Sequence, residues 1–394
     1  TPGWKRWVRL VMSDGDRMLF VWAALSRGAL GFVNTRDMPI YIGVVLLAWG
    51  LGEALRRQSW DGELLLKTLL LGGSLLVASI VPYLFFYISF SSQAGGILPY
   101  IFPPTRLPQY LVMFGVQIYL VSVYLVVALF RRHGRAAWRS ALRMWGALIL
   151  VCLLLFGMIL AATALVITAQ TSGGALSAAL QGTLGDRTLV EALQTILLAR
   201  LTNPWLFLLL TALLGLALAN VLSIFKPRSA PESQLSNPTF PAVSDPVHLF
   251  AFLLIFTGLA LTFIVEFLYL RDGFGLRMNT VFKFYFQGWI LLSCAAAYGF
   301  WWLFGQARIA ADKPVLGGAA RILLGGLAAL FIGAGMVYPV FGYYNRVNGF
   351  QSVPDLDGSS LQARINPDDF AAIAWLQANA VSADGQVPTI LEAP

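Results

Sequence analysis

The chain has 394 residues, 58% of them hydrophobic and only 12% charged, a balance that excludes a water-soluble domain and marks a polytopic helical membrane protein. The net charge of +8 is no nucleic-acid signal, because most basic residues collect in the links between apolar runs. Two cysteines, Cys152 and Cys294, and two distant histidines exclude a disulfide framework and a multi-histidine metal centre.

In chain order, the first apolar stretch, Met18–Val33, is short and carries Arg27; it reads as a thin span, with an interfacial helix as the alternative. Eight longer runs follow at about Pro39–Leu55, Leu64–Ser89, Tyr110–Phe130, Met144–Ala169, Pro204–Phe225, His248–Tyr269, Val281–Phe304 and Ile322–Val340. Each approaches the roughly 20 residues that a crossing needs. The expected fold is an all-α bundle of about eight or nine transmembrane helices over residues 1–341, with a polar, proline-rich cytoplasmic linker at 226–247. From residue 342 the composition changes. Asn366 and Pro367 open a helix and VPTILEA reads as a strand, so residues 342–394 are expected to begin an extracytoplasmic α/β domain. The start at Thr1 and the end inside that strand suggest a piece of a longer protein.

Basic residues set the orientation. RRHGRAAWRSALR holds five arginines and no acid, and Arg56, Arg57, Lys226, Arg228, Arg308 and Lys313 fall on the same side when the spans alternate. That side is expected to be cytoplasmic, in a multi-pass protein of the cell membrane. The outer side then receives four links: GFVNTRDMP, the proline-rich SSQAGGILPYIFPPTRLPQY, the stretch from Asp186 to Asn203, and Glu266–Gln287. The proline-rich link reads either as a lid or re-entrant loop over a cavity or as a loop packed on the surface. In the third link, Thr188-Leu-Val-Glu191 forms a capping box, and Leu189, Leu193, Ile196 and Leu197 share one face of an amphipathic helix.

The fourth link concentrates the chemistry. EFLYLRDGFGLRMNTVFKFYFQ puts charge where hydrocarbon makes it cost roughly 2.5–3.5 kcal/mol per side chain on insertion scales. Asn279, Lys283 and Gln287 are spaced by four and share one helical stripe. Two readings stay open: Glu266 and Lys283 neutralise each other between adjacent helices, or a polar site receives an anionic ligand. Arg271, Arg277 and Lys283 suit a lipid phosphate or pyrophosphate, since arginine binds phosphate bidentately and lysine as a point charge. The glycines after Asp272 permit a tight turn but form no nucleotide fingerprint, because no strand precedes them. Tyr269 and Tyr285 read as interfacial belt residues. Asp37, where an outer loop enters a span, is either a helix cap or a general base. Walker, G-x-S-x-G, H-E-x-x-H and C-x-x-C motifs are all missing from this sequence, which argues against an ATP-driven pump, a serine hydrolase or a zinc protease.

At these residues the chain resembles a known family. EFLYLRDGFGLRMNTVFKFYFQGW resembles the signature block of the DUF2298 (Chlor_Arch_YYY) membrane proteins. GALGFVNTRDMPIYIGV is similar to that family's Asn-Thr-Trp-Asp-x-Pro-Thr-Tyr stretch, with Arg36 in place of the tryptophan and Ile40 in place of the threonine. NPDDFAAIAWLQANA resembles the start of its outer region, whereas its N-terminal tyrosine-rich motif is not in this sequence. The resemblance implies a GT-C-like bundle: a glycosyltransferase that takes a sugar from a polyprenyl-phosphate donor at the outer face. On that reading Arg271, Arg277 and Lys283 hold the donor phosphate, Glu266 orients Lys283, and Asn279 and Gln287 bind sugar hydroxyls. Asp37 or Asp272 serves as base or metal ligand, and a carboxylate in the absent N-terminal segment is an alternative base. A divalent cation such as Mg2+ or Mn2+ suits carboxylates, although no sequence feature requires one. The implied partners are membrane lipid and a lipid-linked sugar donor. The competing readings are a non-catalytic subunit assembled with other membrane subunits, its charges closed by internal pairs, and a transporter. The transporter fits less well, because the charges gather near one face rather than at the midplane.

Overall fold

The computed structural model describes residues 16–91, 95–101, 103–134, 136–168, 189–225, 245–271, 277–305, 315–351 and 357–380. Within them the chain is all-α and polytopic, with eight helices long and apolar enough to cross a membrane. The elements run α1 (Asp16–Val33), α2 (Asp37–Arg57), α3 (Gly62–Ile80), α4 (Leu84–Ser89), β1 (Ile97–Pro99), α5 (Leu107–His133) and α6 (Ala136–Thr168). They continue with α7 (Leu189–Leu201), α8 (Trp205–Ile224), α9 (Asp245–Ile264), β2 (Leu268–Leu270), α10 (Met278–Phe300) and α11 (Gly318–Arg346). The apolar part of α1, Met18–Val33, is shorter than the eight spans.

The bundle is built around the pair α9 and α10, which share the most extensive contact among the described helices. Bare glycines make this possible. A Cβ on Gly258 would lie 3.2 Å from the Gly288 carbonyl oxygen, and one on Gly288 would lie 3.1 Å from that of Gly258. Small residues matter here because lipid is as apolar as leucine, so close backbone packing must hold the helices together. Beside this crossing, Tyr110 of α5 stacks on Phe114 with centroids 4.6 Å apart, and Tyr285 of α10 meets Phe114 edge-on at 5.2 Å. Asn220 of α8 donates to the Leu125 carbonyl at 3.1 Å, a polar tie between buried helices.

Three departures from expectation have local causes. The run Leu64–Ser89 is interrupted at Val81–Tyr83 by a 3-10 turn at Pro82, whose nitrogen cannot donate to the helix. The run His248–Tyr269 stops being helical at Ile264, and its end becomes β2, antiparallel to β1 with Leu98 opposite Tyr269. Gly95 N donates to Arg271 O (2.7 Å) and Arg271 N to Gly96 O (2.9 Å), extending the ladder and satisfying backbone that the helix no longer serves. The proline-rich link is therefore the strand partner of β2. The third concerns Tyr269 and Tyr285: at 4% and 6% exposed they are buried rather than part of an interfacial belt.

Contacts divide the chain into two units, residues 1–331 and 332–394. In the second, α12 (Gly358–Ile365) is capped by Asp357, which accepts from Ser359 N at 2.9 Å. The helix expected after Asn366 is α13 (Pro367–Asn379), with proline in its first turn and no side-chain cap from Asn366. The strand expected at VPTILEA, Thr188 of the capping box and most of the proline-rich linker lie outside the described residues.

Candidate functional site

Glu266 stands just past the end of α9, only 4% exposed. It does not meet Lys283. Its carboxylate accepts from Thr105 N (2.9 Å), the Thr105 hydroxyl (2.6 Å) and Arg277 Nη1 (2.9 Å). Arg277 also donates to the Val265 carbonyl and Thr105 Oγ1, each at 3.0 Å, and its guanidinium lies 3.8 Å from the centroid of the Tyr100 ring. From α7, Arg200 donates to the carbonyls of Tyr100 (2.8 Å) and Glu266 (2.6 Å). Burial lowers the Arg200 guanidinium to about 10, with the Glu266 charge opposing the shift, so it stays a cation at neutral pH. Burial likewise raises the Tyr100 phenol above its ordinary value. The Glu266 carboxylate holds the proline-rich link at Thr105 and the start of α10 at Arg277, while Arg200 brings α7 to the Glu266 and Tyr100 backbone carbonyls. Arginine takes this place because its fork serves several acceptors at once, which the point charge of lysine does not.

Lys283 turns instead toward the junction of α1 and α2. Asn34 N donates to Leu30 O (2.7 Å) and Asp37 N to Asn34 O (3.0 Å), closing a tight turn over Asn34, Thr35 and Arg36. The Asn34 side chain donates from Nδ2 to Asp37 Oδ1 (2.8 Å) and accepts at Oδ1 from Lys283 Nζ (3.2 Å). A carboxylate accepts only and an ammonium donates only, so the amide orientation follows from its partners. One turn further along, Tyr41 OH donates to Gln287 Oε1 at 2.5 Å. The stripe spaced by four on α10 thus faces the start of α2.

A cavity of about 880 Å3 opens beside this contact, the size of a ligand site. Its polar wall comprises Asn34, Thr35, Arg36, Asn279, Thr280 and Lys283, and its apolar wall includes Phe32, Phe86, Phe90, Ile97, Leu268 and Phe284. The first turn of α10 contributes Asn279 and Thr280, so the positive end of that helix adds to the two cations. The Thr280 hydroxyl accepts from Leu270 N at 3.0 Å and ties β2 to the same turn.

Of the residues singled out from the sequence, Asn279 and Lys283 line the cavity. Asp37, 8% exposed, stands behind Asn34, and Gln287, 4% exposed, is held by Tyr41. Glu266 and Arg277 belong to the neighbouring clamp, and Arg271 serves the strand ladder through its backbone. Asp272 lies outside the described residues. Reading the sequence did not single out Asn34, Arg36, Thr105 or Arg200. Two of them carried a signal: Asn34 as the asparagine of the Asn-Thr-Trp-Asp stretch, and Arg36 as a charge in the place of its tryptophan.

Residues 3–292 match DUF2298, a family of uncharacterized membrane proteins. The chain belongs to the DUF2298 family. The matched stretch holds both the Asn34–Asp37 turn and α10 as far as Leu292, so the clamp and the cavity fall inside the DUF2298 region. No curated protein and no solved structure matches the chain.

Proposed function

We propose that this DUF2298 protein is a GT-C-like glycosyltransferase that holds the phosphate of a polyprenyl-linked sugar in the cavity and transfers the sugar at the outer membrane face. One observation carries the reading: a single cavity joins a cationic end, Arg36 with Lys283, to an apolar wall. An anionic headgroup on a hydrocarbon chain matches both parts. A soluble anion leaves the apolar wall in water, and a purely apolar ligand leaves the lysine charge uncompensated.

In this reading Lys283 and Arg36, with Arg271 at the adjoining strand, hold the donor phosphate. The acceptor hydroxyl oxygen attacks the sugar C1, the C1–O bond to phosphate breaks, and the lipid phosphate leaves with the bonding pair. The cations stabilise the charge that develops on it. The hydroxyl proton passes to Asp37 or Asp272, and Asn279 binds sugar hydroxyls. Arg277 and Glu266 fix the wall, and Gln287 anchors α2 through Tyr41. Among the described residues no three His, Cys, Asp or Glu side chains come together as a metal site.

The test uses the full-length protein reconstituted with a set of polyprenyl-phosphate sugars, with release of polyprenyl phosphate as the readout. Turnover that falls at least about a hundredfold in Asp37→Asn supports the reading, the size expected when a general base is lost. Absence of both turnover and binding with every polyprenyl phosphate tried overturns it. The closed Glu266–Arg277 clamp favours a second reading, a structural subunit, and lipid binding without turnover selects that one.

A further inference from the structure

Asp37 and Lys283 are an acid and a base that share one partner, yet neither is in an ion pair among the described residues. The Asn34 amide stands between them, bonded to one at each end. We infer that Asn34 is a positioning residue that keeps Lys283 from closing onto Asp37, so that the ammonium remains available to an anionic headgroup. This inference rests on the lipid-phosphate reading given above.

An ammonium has three N–H donors, and among the described residues Lys283 gives one of them to a protein acceptor, Asn34 Oδ1. That bond, at 3.2 Å, is long beside the 2.7–2.9 Å usual for a charge-assisted contact, so a phosphate oxygen competes for it readily. A neutral amide supplies an acceptor without cancelling the charge. Aspartate at position 34 would pair with Lys283, and alanine would leave room for Lys283 to reach Asp37; either change removes the cation from the cavity. The backbone bonds Asn34 N to Leu30 O and Asp37 N to Asn34 O fix where the amide stands, independently of any ligand.

The experiment measures binding of a polyprenyl phosphate to the full-length protein in phosphatidylcholine nanodiscs, with thermal stability recorded for each variant. Asn34→Ala is expected to weaken binding by about tenfold or more, the range of one hydrogen bond to a charged group. Adding Asp37→Asn to it is expected to restore binding to within about threefold of Asp37→Asn alone, because Lys283 then has no carboxylate to close on. Asn34→Asp, nearly isosteric, is expected to lose binding because its carboxylate pairs with Lys283, and since it also gives up the donor to Asp37 its melting temperature is compared with that of Asn34→Ala. Loss of binding in Lys283→Met, with Asn34→Ala and Asn34→Asp both binding as the parent does, overturns the inference and leaves the lipid-phosphate reading standing. An Asn34→Ala loss that Asp37→Asn does not recover overturns it too, since Asn34 then acts only on the fold. A parent protein that binds no polyprenyl phosphate overturns both.

Discussion

Glu266 accepts from Thr105 twice and from Arg277 once, and the Arg277 side chain is 15% exposed. Removing one member of such a pair leaves an uncompensated buried charge, at a cost of about 3–5 kcal/mol. Glu266→Ala is therefore expected to lower resistance to denaturant by about that amount, and a loss under about 1 kcal/mol contradicts the clamp. Lys283 is the contrast, because its protein partner is a single neutral amide. Lys283→Met is expected to change stability by no more than about 1 kcal/mol while abolishing polyprenyl-phosphate binding in nanodiscs. Both charges were legible in the sequence, since a charge inside an apolar run stands out by its cost. Their partners were not, because Thr105 is 161 residues from Glu266 and Asn34 is 249 from Lys283, and periodicity carries no information over such separations.

The helix pair that carries both clusters meets at Gly258 and Gly288, where a Cβ on Gly288 would also lie 2.9 Å from Thr262 Cγ2. Gly288→Val is expected to destabilise the protein by about 1–3 kcal/mol, the cost of overpacking a close crossing. Unfolding in detergent measures it, and an unchanged midpoint would show that the helices do not cross this tightly. At this scale hydropathy located the helices well and their ends poorly. It took Leu268 and Tyr269, the first two residues of β2, for the end of a span because an apolar strand and an apolar helix read alike in a short run. What decides between them is pairing with Ile97–Pro99, a contact between distant segments. The helix Leu189–Leu201 was legible because its spacing is local; of the face read from it, Ile196 is buried, whereas Leu197 is 45% exposed.

Over the whole molecule, composition sufficed for the membrane class, and the basic bias suggested that four links meet on one side. The links do meet: Asn34 with Lys283, Thr105 with Glu266, and Arg200 with Tyr100. Their sidedness is tested by single cysteines placed after the native Cys152 and Cys294 are replaced. Thr35→Cys is expected to react with an impermeant maleimide on intact cells, and Gly134→Cys only after permeabilisation. Labelling of both from the same side contradicts the proposed topology.

The most direct test of the central claim is a structure of the full-length protein in nanodiscs containing a polyprenyl-phosphate sugar. The account predicts the phosphate in hydrogen-bond contact with Lys283 Nζ, about 3 Å away, and the lipid chain along Phe32, Phe86 and Phe284. A cavity empty at saturating lipid, or a phosphate bound away from Lys283 and Arg36, would contradict it.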